Sequence, residues 1–183
     1  VAGRSADAVT IVNHACGVIT ALCIWAIARR LTSGRPTSQK PTSQSPTSRR
    51  IAIVAGLLAG LDPWLLGFES YVLAGPAATA LATLSLMSCV VLRGVPGAIA
   101  AGVCIGAAVL VRPSFIAWMP PLLVVASMSS PKMLRNAAAF ALACIVALGP
   151  WIAFNHSRGV SGIIDADGLS LWGGLARAGL VVP

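Results

Sequence analysis

The sequence predicts an all-α fold, a polytopic transmembrane helix bundle with about six apolar spans, and three observations predict it. Hydrophobic residues make up 57% of the chain and charged residues only 10%. With a mean hydropathy of +0.86, too little polar surface remains to cover a water-soluble globule of this size. The apolar residues are gathered into long runs separated by short polar stretches. Threading those runs back and forth also sorts the charges. Asp7, Asp62, Glu69, Asp165 and Asp167 fall on one side, and Arg29, Arg30, Arg35, Lys40, Arg49, Arg50, Arg93, Lys132 and Arg135 on the other. Cationic loops stay in the cytoplasm during insertion, so the acidic loops are expected to be extracytoplasmic, with the cell membrane as the location.

The first span runs from about Ala8 to Ala28 and stops at Arg29-Arg30. At ~1.5 Å per residue it crosses a ~30 Å hydrocarbon core. The second begins at Ile51, passes Gly56 and Gly60, and is interrupted by Asp62-Pro63. A span ending at Leu61 is too short, so its outer end is expected to continue as a kinked or interfacial turn through Trp64 to Phe68. The third runs from about Tyr71 to Leu92, the fourth from Val95 to Val111, the fifth from Ser114 to Met128 and the sixth from Leu134 to Phe154. The fourth and fifth are short and joined by Arg112-Pro113; tilted short helices and a re-entrant pair both fit them.

The organisation is therefore a bundle over residues 1–154 and an extracytoplasmic Gly-rich segment over 155–183. Within the bundle, residues 31–50 carry a basic Pro-Thr-Ser repeat built on Pro36, Pro41 and Pro46. Such a stretch has no apolar area to offset its ordering entropy and is expected to be a disordered, solvated loop. The chain opens at Val1 with no basic n-region before its first apolar run, and it closes on Leu180-Val181-Val182-Pro183. Both ends look cut, and a longer protein is expected.

The net charge of +8 raises nucleic acid as a partner. The cations sit in short loops between apolar runs with no aromatic interleaving, which argues against it. Cys16, Cys23, Cys89, Cys104 and Cys144 all lie inside apolar segments, with no CxxC and no His at ligand spacing. They read as small buried apolar side chains, so neither a metal site nor a disulfide framework is indicated. Gly56/Gly60 and Gly102/Gly106 have the spacing that lets helices approach closely.

Polar residues near the membrane are the candidates for chemistry, because an ionised side chain at mid-bilayer costs roughly 2.5–3.5 kcal/mol on insertion scales. Glu69 opens the third span; it either complements the helix dipole or reaches an outward cavity. Asp62 before Pro63 reads as a helix N-cap. Arg112 lies on the outer side, against the positive-inside trend, and serves either as a phosphate ligand or as a snorkelling anchor. Asn13 and His14 lie in the first span as hydrogen-bonding groups. Gly149-Pro150-Trp151 closes the sixth span, followed by Asn155, His156 and Arg158 at the outer surface.

Four strings occur in order: Ala28-Arg29-Arg30 closing a span, Ala59 to Pro63 with Glu69 beyond it, Leu110-Val111-Arg112-Pro113-Ser114, and Pro150-Trp151 with Asn155 and then Gly168 to Gly174. This order resembles the membrane-embedded glycosyltransferases that use polyprenyl- or dolichyl-phosphate sugars, the GT-C superfamily, which includes protein mannosyltransferases and aminoarabinose transferases. The resemblance implies an enzyme that moves a sugar from a lipid-phosphate-linked donor to a hydroxyl or amine acceptor at the extracytoplasmic face. It implies contacts to donor or substrate from Glu69, Arg112, Asn155 and Arg158, with membrane lipids as surroundings. The family admits a divalent metal, and no site for one is visible in these residues. The family's catalytic carboxylate stands in the first outward loop, and no acidic pair occupies that place here; Asp7 is isolated. The alternatives are a transporter or flippase-like bundle, whose broken helices would flank a midplane site, and a non-catalytic membrane subunit. The reading frame upstream of Val1 is expected to encode an apolar span and then an outward loop bearing an Asp-Glu or Asp-Asp pair. Sequencing that region checks it, and a start codon at Val1 without such a loop would remove the enzyme reading.

Overall fold

In the computed structural model, which describes residues 2–33, 46–62 and 75–158, the regular elements are all helical. They are α1 (Ala2–Thr32), α2 (Pro46–Gly60), α3 (Gly75–Val91), α4 (Gly94–Val111), a 3-10 turn (Pro113–Trp118), α5 (Met119–Met128) and α6 (Met133–Ser157). Three are long and apolar enough to cross a membrane: Ala8–Thr32 within α1, α4 and α6. Gly75–Val91 and Pro113–Met128 are apolar but shorter. The 15 residues of α2 reach only ~22 Å.

Two boundaries differ from expectation. The predicted disordered loop over 31–50 is trimmed at both ends, because α1 runs on to Thr32 and α2 begins at Pro46. Proline suits the first helical position, where its missing N–H would be unpaired anyway, so the last Pro-Thr-Ser unit starts a helix. Residues 34–45 lie outside the described residues. The fifth predicted segment is the second departure, for it opens as a 3-10 turn and becomes α-helical only at Met119. Pro120 and Pro121 have no N–H to give to Ile116 and Ala117, so the α ladder cannot run back through Phe115–Trp118. Met119 closes the turn with a bond to the Ile116 carbonyl.

The helices pack in the order α2, α1, α3, α4, α6, with α5 laid mainly on α6. Helices α1 and α2 form an antiparallel pair: Ser48 Oγ donates to the Thr32 carbonyl at 3.0 Å, while Gly56 and Gly60 face Trp25 and Ala21. Helices α3 and α4 form a second antiparallel pair through a tight turn at Leu92-Arg93, with φ of 52° at Arg93 and 65° at Gly94. The Gly94 N–H donates to Ser129 Oγ at 3.0 Å, which ties that turn to the one between α5 and α6. Helices α4 and α6 run parallel. A Cβ on Gly102 would lie 2.5 Å from the Phe140 carbonyl and 2.8 Å from Ala143 Cβ, and one on Gly106 would lie 2.7 Å from Ala147 Cβ. Both Gly-x-x-x-Gly pairs read in the sequence therefore sit at close helix contacts.

The interior is small and partly polar. Ala78, Ala98, Ala101, Ala108 and Ala126 are fully buried, as are Ser85 and Asn136. Ser85 Oγ donates to the Ala101 carbonyl at 2.9 Å, bridging α3 and α4. Large aliphatic side chains point outward instead: Leu134 is 85% exposed and Ile145 and Val146 are each 65% exposed. That much exposed apolar surface suits a lipid solvent, in which helices associate through small residues rather than by hiding large ones. Gly102→Val is expected to lower the thermal unfolding temperature in detergent and to detach α6 from α4. Overpacking costs roughly 1–3 kcal/mol even where the neighbours can yield, and here one neighbour is backbone. Gly149→Ala meets nothing within 4 Å and is expected to be neutral or stabilising by up to ~1 kcal/mol in the same measurement.

Candidate functional site

Arg112 occupies the break between α4 and the 3-10 turn. Its backbone is extended (φ −146°, ψ 105°), the conformation that a following proline ring favours. Its N–H still bonds to the Ala108 carbonyl at 2.8 Å, and its carbonyl accepts from Phe115 N at 3.0 Å. The residue thus ends one helix and starts the next turn while its side chain stays exposed. The guanidinium lies over the start of α3, with Nη1 3.5 Å from where a Cβ on Gly75 would stand. An exposed guanidinium beside Gly75 is a planar array of donors suited to phosphate or carboxylate oxygens.

Asn155 and Arg158 close α6. Asn155 is half-buried and Arg158 exposed. The Arg158 guanidinium carbon lies 4.8 Å from the Phe154 ring centroid, and Phe154 stacks on Trp151 at 5.8 Å and 26°. A cation on an aromatic face is held without losing its outward hydrogen-bonding capacity. The parallel register of α4 and α6, carried forward from Gly106 and Ala147, brings Arg112 level with about Ala153. The start of α3, Arg112, Asn155 and Arg158 therefore gather at one end of this four-helix portion. Glu69 lies outside the described residues, as do Asp165, Asp167 and the string from Gly168 to Gly174.

The remaining polar residues fall elsewhere. Asn13 is buried in α1, while His14 lines a groove between α1 and α2. Asp62 follows the end of α2, and the helix start expected at Pro63 lies outside the described residues. All five cysteines are free thiols on helices; Cys23, Cys89 and Cys144 are buried and Cys16 and Cys104 half-buried, in keeping with their reading as small apolar side chains. Among the described residues, no three His, Cys, Asp or Glu side chains are gathered as a metal site requires.

Two features were invisible to sequence reasoning. Asn136 is fully buried at the start of α6, where its Nδ2 donates to Ser130 Oγ at 2.7 Å, and among the described residues its Oδ1 is the one buried side-chain polar atom without a partner. Only the turn geometry exposes that role. The second is a cavity lined by Trp25, Arg29, Arg49, Ala52 and Ile53. Its arginines come from near the end of α1 and near the start of α2, and the available signal was the small-residue spacing that lets α2 lie against α1. Comparison with protein-family models, curated protein sequences and solved structures finds no match.

Proposed function

We propose that this chain is part of an integral membrane glycosyltransferase that moves a sugar from a lipid-phosphate-linked donor to an acceptor at the extracytoplasmic face. The observation that carries this reading is the Arg112 guanidinium set beside the opening of α3. In the proposed reaction an acceptor hydroxyl or amine attacks the anomeric carbon, and the bond from that carbon to the phosphate oxygen breaks. The phosphate keeps the bonding electrons and gains charge as it leaves. Arg112 answers that charge with donors already in place. Glu69 supplies a polar contact in the substrate cavity, and Asn155 with Arg158 shapes its rim. A carboxylate takes the acceptor's proton as base.

On this reading six segments cross the membrane. The acidic loops and Arg112 are extracytoplasmic, and Arg50 is cytoplasmic. The break at Arg112-Pro113 also favours a second reading, a transporter with a discontinuous helix beside its substrate.

Removing Arg112 from the complete protein, as Arg112→Ala, is expected to lower sugar transfer from a polyprenyl-phosphate-linked donor about 10²–10³-fold, the usual loss of one transition-state donor. Unchanged transfer would remove Arg112 from the phosphate site. Uptake of the lipid-linked sugar without transfer would favour the transporter. Orientation is checked separately with a membrane-impermeant maleimide on intact cells, using the parent chain as background. Arg112→Cys is expected to react from outside, and Arg50→Cys only after permeabilisation.

A further inference from the structure

The groove between α1 and α2 occupies about 510 Å³ and is lined by apolar or small residues, with His14 the only polar side chain. Gly17, Ala21, Gly56 and Gly60 form its floor, where the two helices come closest. Trp25 and Ile53 belong both to this groove and to the second cavity, of about 470 Å³, which Arg29 and Arg49 line. The two therefore adjoin, an apolar groove and, at its end, a cationic mouth. Both volumes fall in the ~300–1,000 Å³ range of small-ligand sites.

The mouth is held in shape. The Arg29 guanidinium carbon lies 5.4 Å from the Trp25 ring centroid, which fixes it over the groove's end. Ser48 Oγ donates to the Thr32 carbonyl at 3.0 Å, and Thr32 Oγ1 lies 3.4 Å from the Ser48 carbonyl. These bonds set the spacing between Arg29 near the end of α1 and Arg49 near the start of α2. Arg30 and Arg50 add charge at the same end, while Asp62 lies beyond the opposite end of α2.

Length decides between occupants. From His14 to Trp25 the groove follows eleven residues of α1, or ~17 Å. Half of a ~30 Å hydrocarbon core is ~15 Å. A partner's transmembrane helix would need a trough running the full ~30 Å, whereas one acyl chain of one leaflet matches this groove. We propose that the groove holds an anionic glycerophospholipid of the leaflet next to the arginines. Its phosphate sits between Arg29 and Arg49, and one acyl chain lies over Gly17, Ala21, Gly56 and Gly60. The site does not depend on the transferase reading and involves none of Glu69, Arg112, Asn155 and Arg158.

The test is native mass spectrometry of the complete protein, purified in mild detergent and equilibrated with phosphatidylglycerol or phosphatidylcholine. One phosphatidylglycerol per chain is expected to be retained at least tenfold more strongly than phosphatidylcholine. The double variant Arg29→Gln/Arg49→Gln is expected to lose that preference, Arg29→Lys/Arg49→Lys to keep part of it, and Arg30→Gln to keep it whole. Gly60→Leu, whose Cβ meets only Ala21 Cβ at 3.5 Å, fills the groove without unseating α2 and is expected to release the lipid. Equal retention of the two lipids by the wild-type chain overturns the proposal, as does a preference that survives the double glutamine variant. Displacement by inorganic phosphate makes the mouth a free-anion site and overturns the lipid. A dimer whose groove takes no lipid assigns the surface to a second copy.

Discussion

The approach of α4 to α6 at Gly102 and Gly106 is the constraint on which the other arrangements rest. With no Cβ on either glycine, the α6 backbone at Phe140 and the methyl groups of Ala143 and Ala147 occupy the space a side chain would fill. Where lipid removes the usual gain from burying apolar area, many short dispersion contacts hold helices together, and their number depends on how near the backbones come. Helix α4 also receives α3 on its other side, where Gly97 faces the Ser88 carbonyl. It is thus the hub through which the start of α3 and the end of α6 acquire a fixed relation. Moving α6 outward by the width of a methyl group would shift Asn155 and Arg158 away from Arg112.

The same logic explains why the polar groups are inside. Ser85 spends its hydroxyl on a carbonyl of the neighbouring helix, and Asn136 joins the α5–α6 turn through Ser130. In hydrocarbon these side chains would have no water to turn to, so packing them inward answers two needs at once. The outward aliphatics are then solvent-facing in the sense that matters here, and their exposure is no sign of instability.

The helical class and the long spans were legible because they rest on composition and run length, which survive without tertiary information. The two glycine pairs were legible for a similar reason: their spacing is local and their effect on backbone distance is direct. The 3-10 turn was not, since Ser114 to Trp118 is as apolar as a helix and the disturbance comes from Pro120 and Pro121 further on. The start of α2 at Pro46 was hidden by the repeat, whose three units look alike although only Arg49 and Arg50 separate the last from an apolar run. Arg112 stood out as a cation on the unexpected side, but its nearness to Gly75 depends on how α3 folds back on α4. The pairing of Arg29 with Arg49 likewise required the α1–α2 register, which no local pattern encodes.

The 3-10 turn has a geometric consequence for the parallel pair. Because α4 and α6 point the same way, the chain must return between them, over the 21 residues from Arg112 to Lys132, of which 16 are helical, 6 in the turn and 10 in α5. Wound wholly as α-helix they would cover ~24 Å, short of the ~27 Å rise of the 18 residues of α4. A 3-10 helix climbs ~2.0 Å per residue, so the six-residue turn recovers ~3 Å and brings the return stroke to the same height. The prolines that spoil the regular ladder thereby lengthen the helical part of that connection.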